Sequence, residues 1–332
     1  MTLRSWLALA CAVAVAATLA PAPFAQAQTR LRVAGNFPVD HTATKAMEVF
    51  KAEVEKRTNG QLQLDLFPAM QLGGATENVD QVRSGTVFAI VTSIAYFTRV
   101  VPEYEAVSLP FLFKTREAAF RTMDGPIGKV FDEKMAEKGF ISLGYGELGY
   151  RHVTNSVRPI TSVADFKGLK IRLQPNEVHL DSFRALGANP VAMDIKEVYS
   201  AMQQGVLDGH ENPYNIIFTR RFHEVQKHLS NTGHFFDFIN AAANKRQFER
   251  LSKPHQEAVM QSMKVAMTWQ RAEAAKLDEG WRDQLIKAGM TYTPVPDQGR
   301  AEMRKATVDI VNALKKRVDP KLIDQVLAEA DR

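Results

Sequence analysis

The sequence predicts an α/β protein of two lobes, on three observations. Apolar runs of period two alternate along the chain with runs of period near 3.6, the pattern of open, mostly parallel sheets with helices on both faces. About 305 of the 332 residues remain once an N-terminal leader is set aside, more than one hydrophobic core and the natural size of two α/β units. Residues 254–287 contain no glycine or proline after Pro254 except Gly280. At a rise of about 1.5 Å per residue they would form a helix roughly 50 Å long, enough to cross two lobes.

The leader is read at residues 1–27. Arg4 precedes an apolar run at 6–19, and Ala25-Gln26-Ala27 offers a cleavage site before Gln28. The run is about 14 residues, short of the roughly 20 that a spanning helix needs, and Pro21 and Pro23 follow it. A cleaved secretory signal is therefore expected rather than a retained anchor. Lipidation at Cys11 fits poorly, because Leu9 and Ala10 precede it. Cys11 is the only cysteine, so the mature chain is expected to hold no disulfide, thiolate nucleophile or cysteine metal site. Loss of Arg4 leaves 41 basic against 37 acidic residues, a net charge of +4. These charges are scattered over amphipathic segments, which argues against nucleic acid, while a mildly positive field favours anionic ligands.

Residues 31–34 read as the first strand. Ala43, Ala46, Phe50 and Val54 form the apolar stripe of a helix over 42–57, ended by Asn59-Gly60. Leu62, Leu64 and Leu66 alternate with polar residues, a half-buried strand stopped by Pro68. A helix at 75–83 closes at Ser84-Gly85 and leads to an apolar strand at 87–91. A second unit opens near Gly149, with strands at 150–154, 169–173 and 189–192 and helices at 177–186 and 195–204. Residues 229–244 read as extended and carry the chain back between the units. On the long helix, Trp269 and Trp281 lie about 120° apart and are expected in core and domain contacts, and Met260, Met263 and Met267 in the core. The division expected is lobe I at 28–148 plus about 237–276, and lobe II at 149–236 plus about 277–332.

Few motifs carry chemistry. Gly144-Tyr145-Gly146-Glu147-Leu148-Gly149 matches the dinucleotide fingerprint and follows a strand at 140–143, but that motif must open a helix, and 150–155 reads as another strand. These glycines are instead expected to let the chain bend between lobes. No hydrolase elbow, zinc-protease motif or P-loop is present, and the eight histidines are scattered. His41 is slightly better placed than the others, just before a helix start. No enzyme activity, cofactor or metal is expected.

Arg172 ends an apolar strand, and Asn212 precedes a proline that starts a helix. A guanidinium matches a carboxylate bidentately, and an amide can donate to another ligand oxygen. Taken alone, Arg172 could equally salt-bridge at a sheet edge. The surrounding words weigh against that: Gly168-Leu169-Lys170-Ile171-Arg172, then Ala185-Leu186-Gly187-Ala188-Asn189-Pro190, then residues 204–213. With Phe67-Pro68, Gln71-Leu72-Gly73, residues 109–113 and 149–155, the chain resembles the solute-binding proteins of tripartite ATP-independent periplasmic (TRAP) transporters, the DctP type.

The resemblance spans essentially the whole mature chain. It implies a periplasmic binding protein fold, two α/β lobes joined by hinge strands with a long helix laid across both. It also implies a periplasmic monomer that captures a small carboxylate and delivers it to the small and large membrane subunits of an ion-gradient-driven permease. Site residues implied are Arg172, Asn212 and Arg151 on the carboxylate, with Asn36, Ser93 and Tyr96 from the first lobe and Glu147 near the hinge. The competing readings are a receptor for a sensor kinase and a periplasmic enzyme acting on a carboxylate. Ser93 and Tyr96 stand where acidic-sugar receptors can carry Glu and Arg, which argues against sialic acid. Dicarboxylates, sugar acids, 2-oxo acids and aromatic acids all remain open. The uncharged polar first-lobe residues lean toward a hydroxylated monocarboxylate.

Overall fold

The computed structural model describes residues 28–332; the leader at 1–27 lies outside the described residues. The chain runs β1 (Thr29–Gly35), α1 (Thr42–Arg57), β2 (Leu62–Phe67), α2 (Ala75–Ser84), β3 (Ala89–Ser93), α3 (Arg116–Asp124), α4 (Pro126–Glu137) and β4 (Phe140–Asn155). It continues through β5 (Lys170–Leu173), α5 (Glu177–Ala185), β6 (Asn189–Ala192), α6 (Ile195–Gln203), β7 (Gly209–Asn212), α7 (Tyr214–Thr219) and β8 (His228–Asn244). The last elements are α8 (Lys245–Arg250), α9 (Lys253–Lys287), β9 (Thr291–Pro294), α10 (Asp297–Ala306), α11 (Ile310–Leu314) and α12 (Pro320–Asp331). Local chemistry sets several boundaries. His41 caps α1 by accepting from Ala43 N (3.0 Å), and α2 ends at Gly85, which adopts φ 87°.

The strands form one sheet in the order β2-β1-β3-β8-β4-β7-β5-β6, with β9 beside β8. β1 pairs parallel with β2 and β3, and β5 pairs parallel with β6 and β7. Between these two wings, β4 and β8 run antiparallel to each other, with β3 on one side and β7 on the other. The wings are thus parallel as expected, but the two long strands thread both. The strands read separately at 140–143 and 150–154 are one element, whose register shifts at Ser142/Gly144, Glu147/Gly149 and Arg151/Val153. Gly144 (φ 155°) and Gly149 (φ 112°) stand at two of those bulges. The glycine run therefore bends a strand.

Alternation of side chains across the sheet divides the core. Leu31, Val33, Ala89, Val91, Ile239 and Ala241 face α1 and α9, while Ile90, Phe236 and Phe238 face the opposite way, toward the layer that includes α3 and α4. In the second wing Ile171 and Leu173 pack with Phe183 of α5 and Met303 of α10. The helix α9 touches α1, β4 and α7. Its Gln270 fastens the crossing: Nε2 donates to Glu147 O (2.7 Å) and Thr42 Oγ1 (3.1 Å), and Oε1 accepts from Glu147 N (2.7 Å).

Two expectations need correction. Met260 and Trp269 are each 36% exposed because they lie on the solvent side of α9, whereas Met263 and Met267 are buried and Trp281 packs on Phe218. The helices beyond α10 pack on the first wing. Ile310, Leu314, Leu322, Ile323 and Val326 belong to the first-wing core with Val79 and Phe131, and α12 lies on α3 and α4. Arg121 and Lys114 of that wing pair with Glu329 and Asp331.

A Cβ on Gly146 would lie 2.6 Å from Gln270 Oε1 and 2.9 Å from Met267 Sδ, whereas one on Gly280 meets nothing within 4 Å. Gly146→Ala is expected to lower stability by about 1–3 kcal/mol and Gly280→Ala to raise it by about 0.5–1 kcal/mol, read as opposite shifts of the urea midpoint.

Candidate functional site

The carboxyl ends of β1, β3, β5 and β7 converge on one cleft, the position where open α/β sheets bind ligands. The cleft narrows to a cavity of about 20 Å³. Asn36, Thr92, Ser93 and Tyr96 line it from the first wing, and Gln174, Asn212 and Arg220 from the second, with Phe37, Leu148, Ile195 and Ile216 as apolar wall. Hydrogen bonds cross it. Arg172 Nη2 donates to Tyr96 Oη (3.1 Å), Gln174 Nε2 to Ser93 Oγ (2.9 Å), Thr98 Oγ1 to Pro175 O (3.3 Å), and Arg220 Nη2 to Asn36 O. The wings are therefore in contact across the cleft, which is closed.

Arg172 is wholly buried beside this cavity and meets it through Tyr96. Its other bonds run from Nε and Nη2 to Met193 O (2.8 and 2.6 Å), so every partner is neutral, and Nη1 has none. Arg220 carries a second positive charge into the cleft, with Nε also buried and unpartnered. Burial, reinforced by the charge of Arg172, pulls its pKa down to about 10.

Arg151 is a different kind of arginine. It is also fully buried, yet Nε and Nη2 meet Glu211, Nη1 meets Asp237 Oδ2 (2.8 Å), and Nη2 reaches Asn212 Oδ1 (3.1 Å). Burial alone would raise the Glu211 carboxyl, but Arg151 and His234 hold it far below the usual range. Burial dominates at Asp237 and pushes its carboxyl up. With its charge answered by Glu211 and Asp237, Arg151 does not line the cavity. It positions Asn212, whose Nδ2 meets His210 Nδ1 (2.9 Å). Glu147 is likewise outside the cavity, because its carboxylate pairs with Arg116 Nε (2.7 Å) at the α9 crossing.

Gln174, Arg220 and Thr92 were not singled out from sequence. Gln174 had a legible signal: it stands two residues beyond Arg172, hence on the same face of an extended segment. Arg220 had none, since only the turn of α7 returns it to the cleft.

The model of the bacterial extracellular solute-binding proteins of family 7, DctP, matches residues 33–317. The chain belongs to the DctP family of TRAP periplasmic solute-binding proteins. It is 35% identical to the 2,3-diketo-L-gulonate-binding periplasmic protein YiaO of Escherichia coli, over 74% of this chain and 75% of that one. A TRAP solute-binding protein from Polaromonas sp. JS666 bound to D-erythronate superposes with TM-score 0.87 at 34% identity, covering 91% of this chain and 99% of that one. One from Sulfurospirillum deleyianum with bound succinate gives TM-score 0.87 at 30% identity, covering 91% and 99%. The DctP chain is thus a mixed α/β periplasmic binding protein, with α9 spanning both wings, and a binding protein rather than an enzyme. Among the described residues no helix is long and apolar enough to cross a membrane.

Two predictions follow from the charges. Burial above all, with the charges of neighbouring arginines, lowers His41, His179 and His210 to about 3. Unfolded, each titrates near 6.5, so the unfolded chain binds more protons in between. Thermal stability should be full above about pH 6.5 and fall as pH drops toward 3, checked by melting at fixed ionic strength. Arg151→Ala strands Glu211 and Asp237 and should cost about 3–5 kcal/mol in denaturant titration.

Proposed function

We propose that this DctP-family protein is exported to the periplasm through the leader at 1–27, acts there as a monomer, captures a small carboxylate by closure of its two wings, and delivers it to TRAP membrane subunits driven by an ion gradient. The lobes are taken as the first wing with residues 310–332 and the second wing with α10, hinged on β4 and β8. The observation that carries the reading is Arg172: a fully buried guanidinium whose partners are all neutral and whose Nη1 has none.

Burying such a charge costs several kcal/mol, and a carboxylate arriving in the cleft offsets that cost by pairing with it. Closure is thereby favoured by ligands that bring a negative charge, and disfavoured for neutral ones. Tyr96 Oη, across the cleft, would carry the ligand's contact to the first wing, and Asn212, held by Arg151 and His210, would keep a fixed amide at the same place. Arg151 supplies rigidity to this arrangement instead of a direct contact.

Arg172→Ala should weaken binding of the carboxylate by roughly a hundredfold, about 3 kcal/mol. Calorimetry after a thermal-shift screen of organic acids checks this; near wild-type affinity in a variant that still melts cooperatively would overturn the assignment.

A further inference from the structure

At the rim of the cleft, outside the cavity, the start of α2 in the first wing faces the start of α6 in the second. The two helix starts are capped unequally. Asp194 caps its own helix, α6, by accepting from Lys196 N through Oδ1 (3.1 Å). The cap position of α2 is Gly74, which has no side chain to offer the unpaired N–H groups of the first turn.

The acceptor comes from the other wing. Asp194 Oδ2 lies 3.4 Å from Thr76 N, the second residue of α2 and one of the groups that a cap side chain would meet. A Cβ on Gly74 would lie 2.7 Å from the same oxygen and 3.0 Å from Asp194 Cγ, so the carboxylate fills the space of the missing side chain. One carboxylate thus serves two helix starts, one oxygen to each. The second contact exists only while the wings are together. The helix dipole favours a negative charge there, and the other acids bordering the gap, Glu77, Asp80 and Glu197, are exposed, so water and salt screen their repulsion.

Asp194 is also joined to Arg172. Nε and Nη2 of that arginine both donate to Met193 O, at 2.8 and 2.6 Å, which fixes the peptide just before Asp194. The side chain read as the charge anchor therefore aims the residue that bridges the wings.

We propose that Asp194 is a latch, a positioning residue outside the cavity that holds the wings closed by capping α2 from across the cleft and so slows ligand release. This rests on the closure reading above and adds to it a residue that touches no ligand.

Asp194→Ser separates the two caps. Serine caps its own helix about as well as aspartate, but its single side-chain oxygen cannot serve both helices. A bound acid should dissociate about fivefold faster, with association unchanged. The direction discriminates, because the charge of Asp194 is felt at Arg220 in the cleft, and its removal would by charge alone tighten the binding of an acid. Gly74→Ala attacks the contact from the other side. Its φ of −69° suits any residue, and the three nearest neighbours of the added Cβ are all atoms of Asp194. It should speed release in the wild type and do much less in Asp194→Ser, a coupling that a merely weakened helix would not produce.

Rates are read by stopped flow with D-erythronate and with succinate, on residues 28–332 labelled at Asp80→Cys and Glu197→Cys. Both positions are exposed at the rim, one in each wing, and Cys11 of the leader is the only native cysteine. If Asp194→Ser releases the acid at the wild-type rate, or binds it more tightly, the latch falls and the carboxylate reading stands. If neither acid binds the wild type, that counts against the carboxylate reading, and the label separation in the acid-free protein decides the latch. A short separation lost in Asp194→Ser supports it, and identical separations overturn it.

Discussion

The Arg151 guanidinium is the point on which the rest of the structure depends. It sits on β4, spends its N–H groups on Glu211 and Asn212 of β7 and on Asp237 of β8, and through Asp237 it reaches Ser93 at the end of β3. Gln174, just past β5, joins the same chain of bonds at Ser93. Five strands from both wings are thus tied through one buried cation. A buried charge is tolerated only where its hydrogen-bonding capacity is filled, so this network constrains every member to one geometry. The cleft residues Ser93, Asn212 and Gln174 are held by it.

Arg172 inverts that logic. The two arginines have the same chemistry and the same complete burial, yet one is surrounded by carboxylates and the other by a backbone carbonyl and a phenol. The charge of the first is answered within the chain, and that of the second is met only by neutral groups.

Much of the fold was legible because local patterns agreed with it. The helix over Thr42–Arg57, the strand Asn189–Ala192 and the long helix Lys253–Lys287 follow from apolar spacing and their bounding residues. The breakdowns have physical causes. The bulged strand through Gly144 and Gly149 reads as two strands because the glycines that permit its bends also punctuate it. The last two helices carry stripes that would suit either wing, and nothing local says which core receives them.

At the site, the sequence by itself determined the residue types, an arginine at the end of an apolar strand and an asparagine before a proline, together with a resemblance that implies a ligand role for them. It determined the long helix and the two-wing alternation, since both are written in short-range periodicity. Only the tertiary structure decided that Arg151 is consumed by Glu211 and Asp237, that Glu147 belongs to the α9 crossing, and that Arg220 and Gln174 belong to the cleft. Whether a buried charge is answered depends on side chains brought from distant strands, and pairing of that range leaves no mark in local sequence.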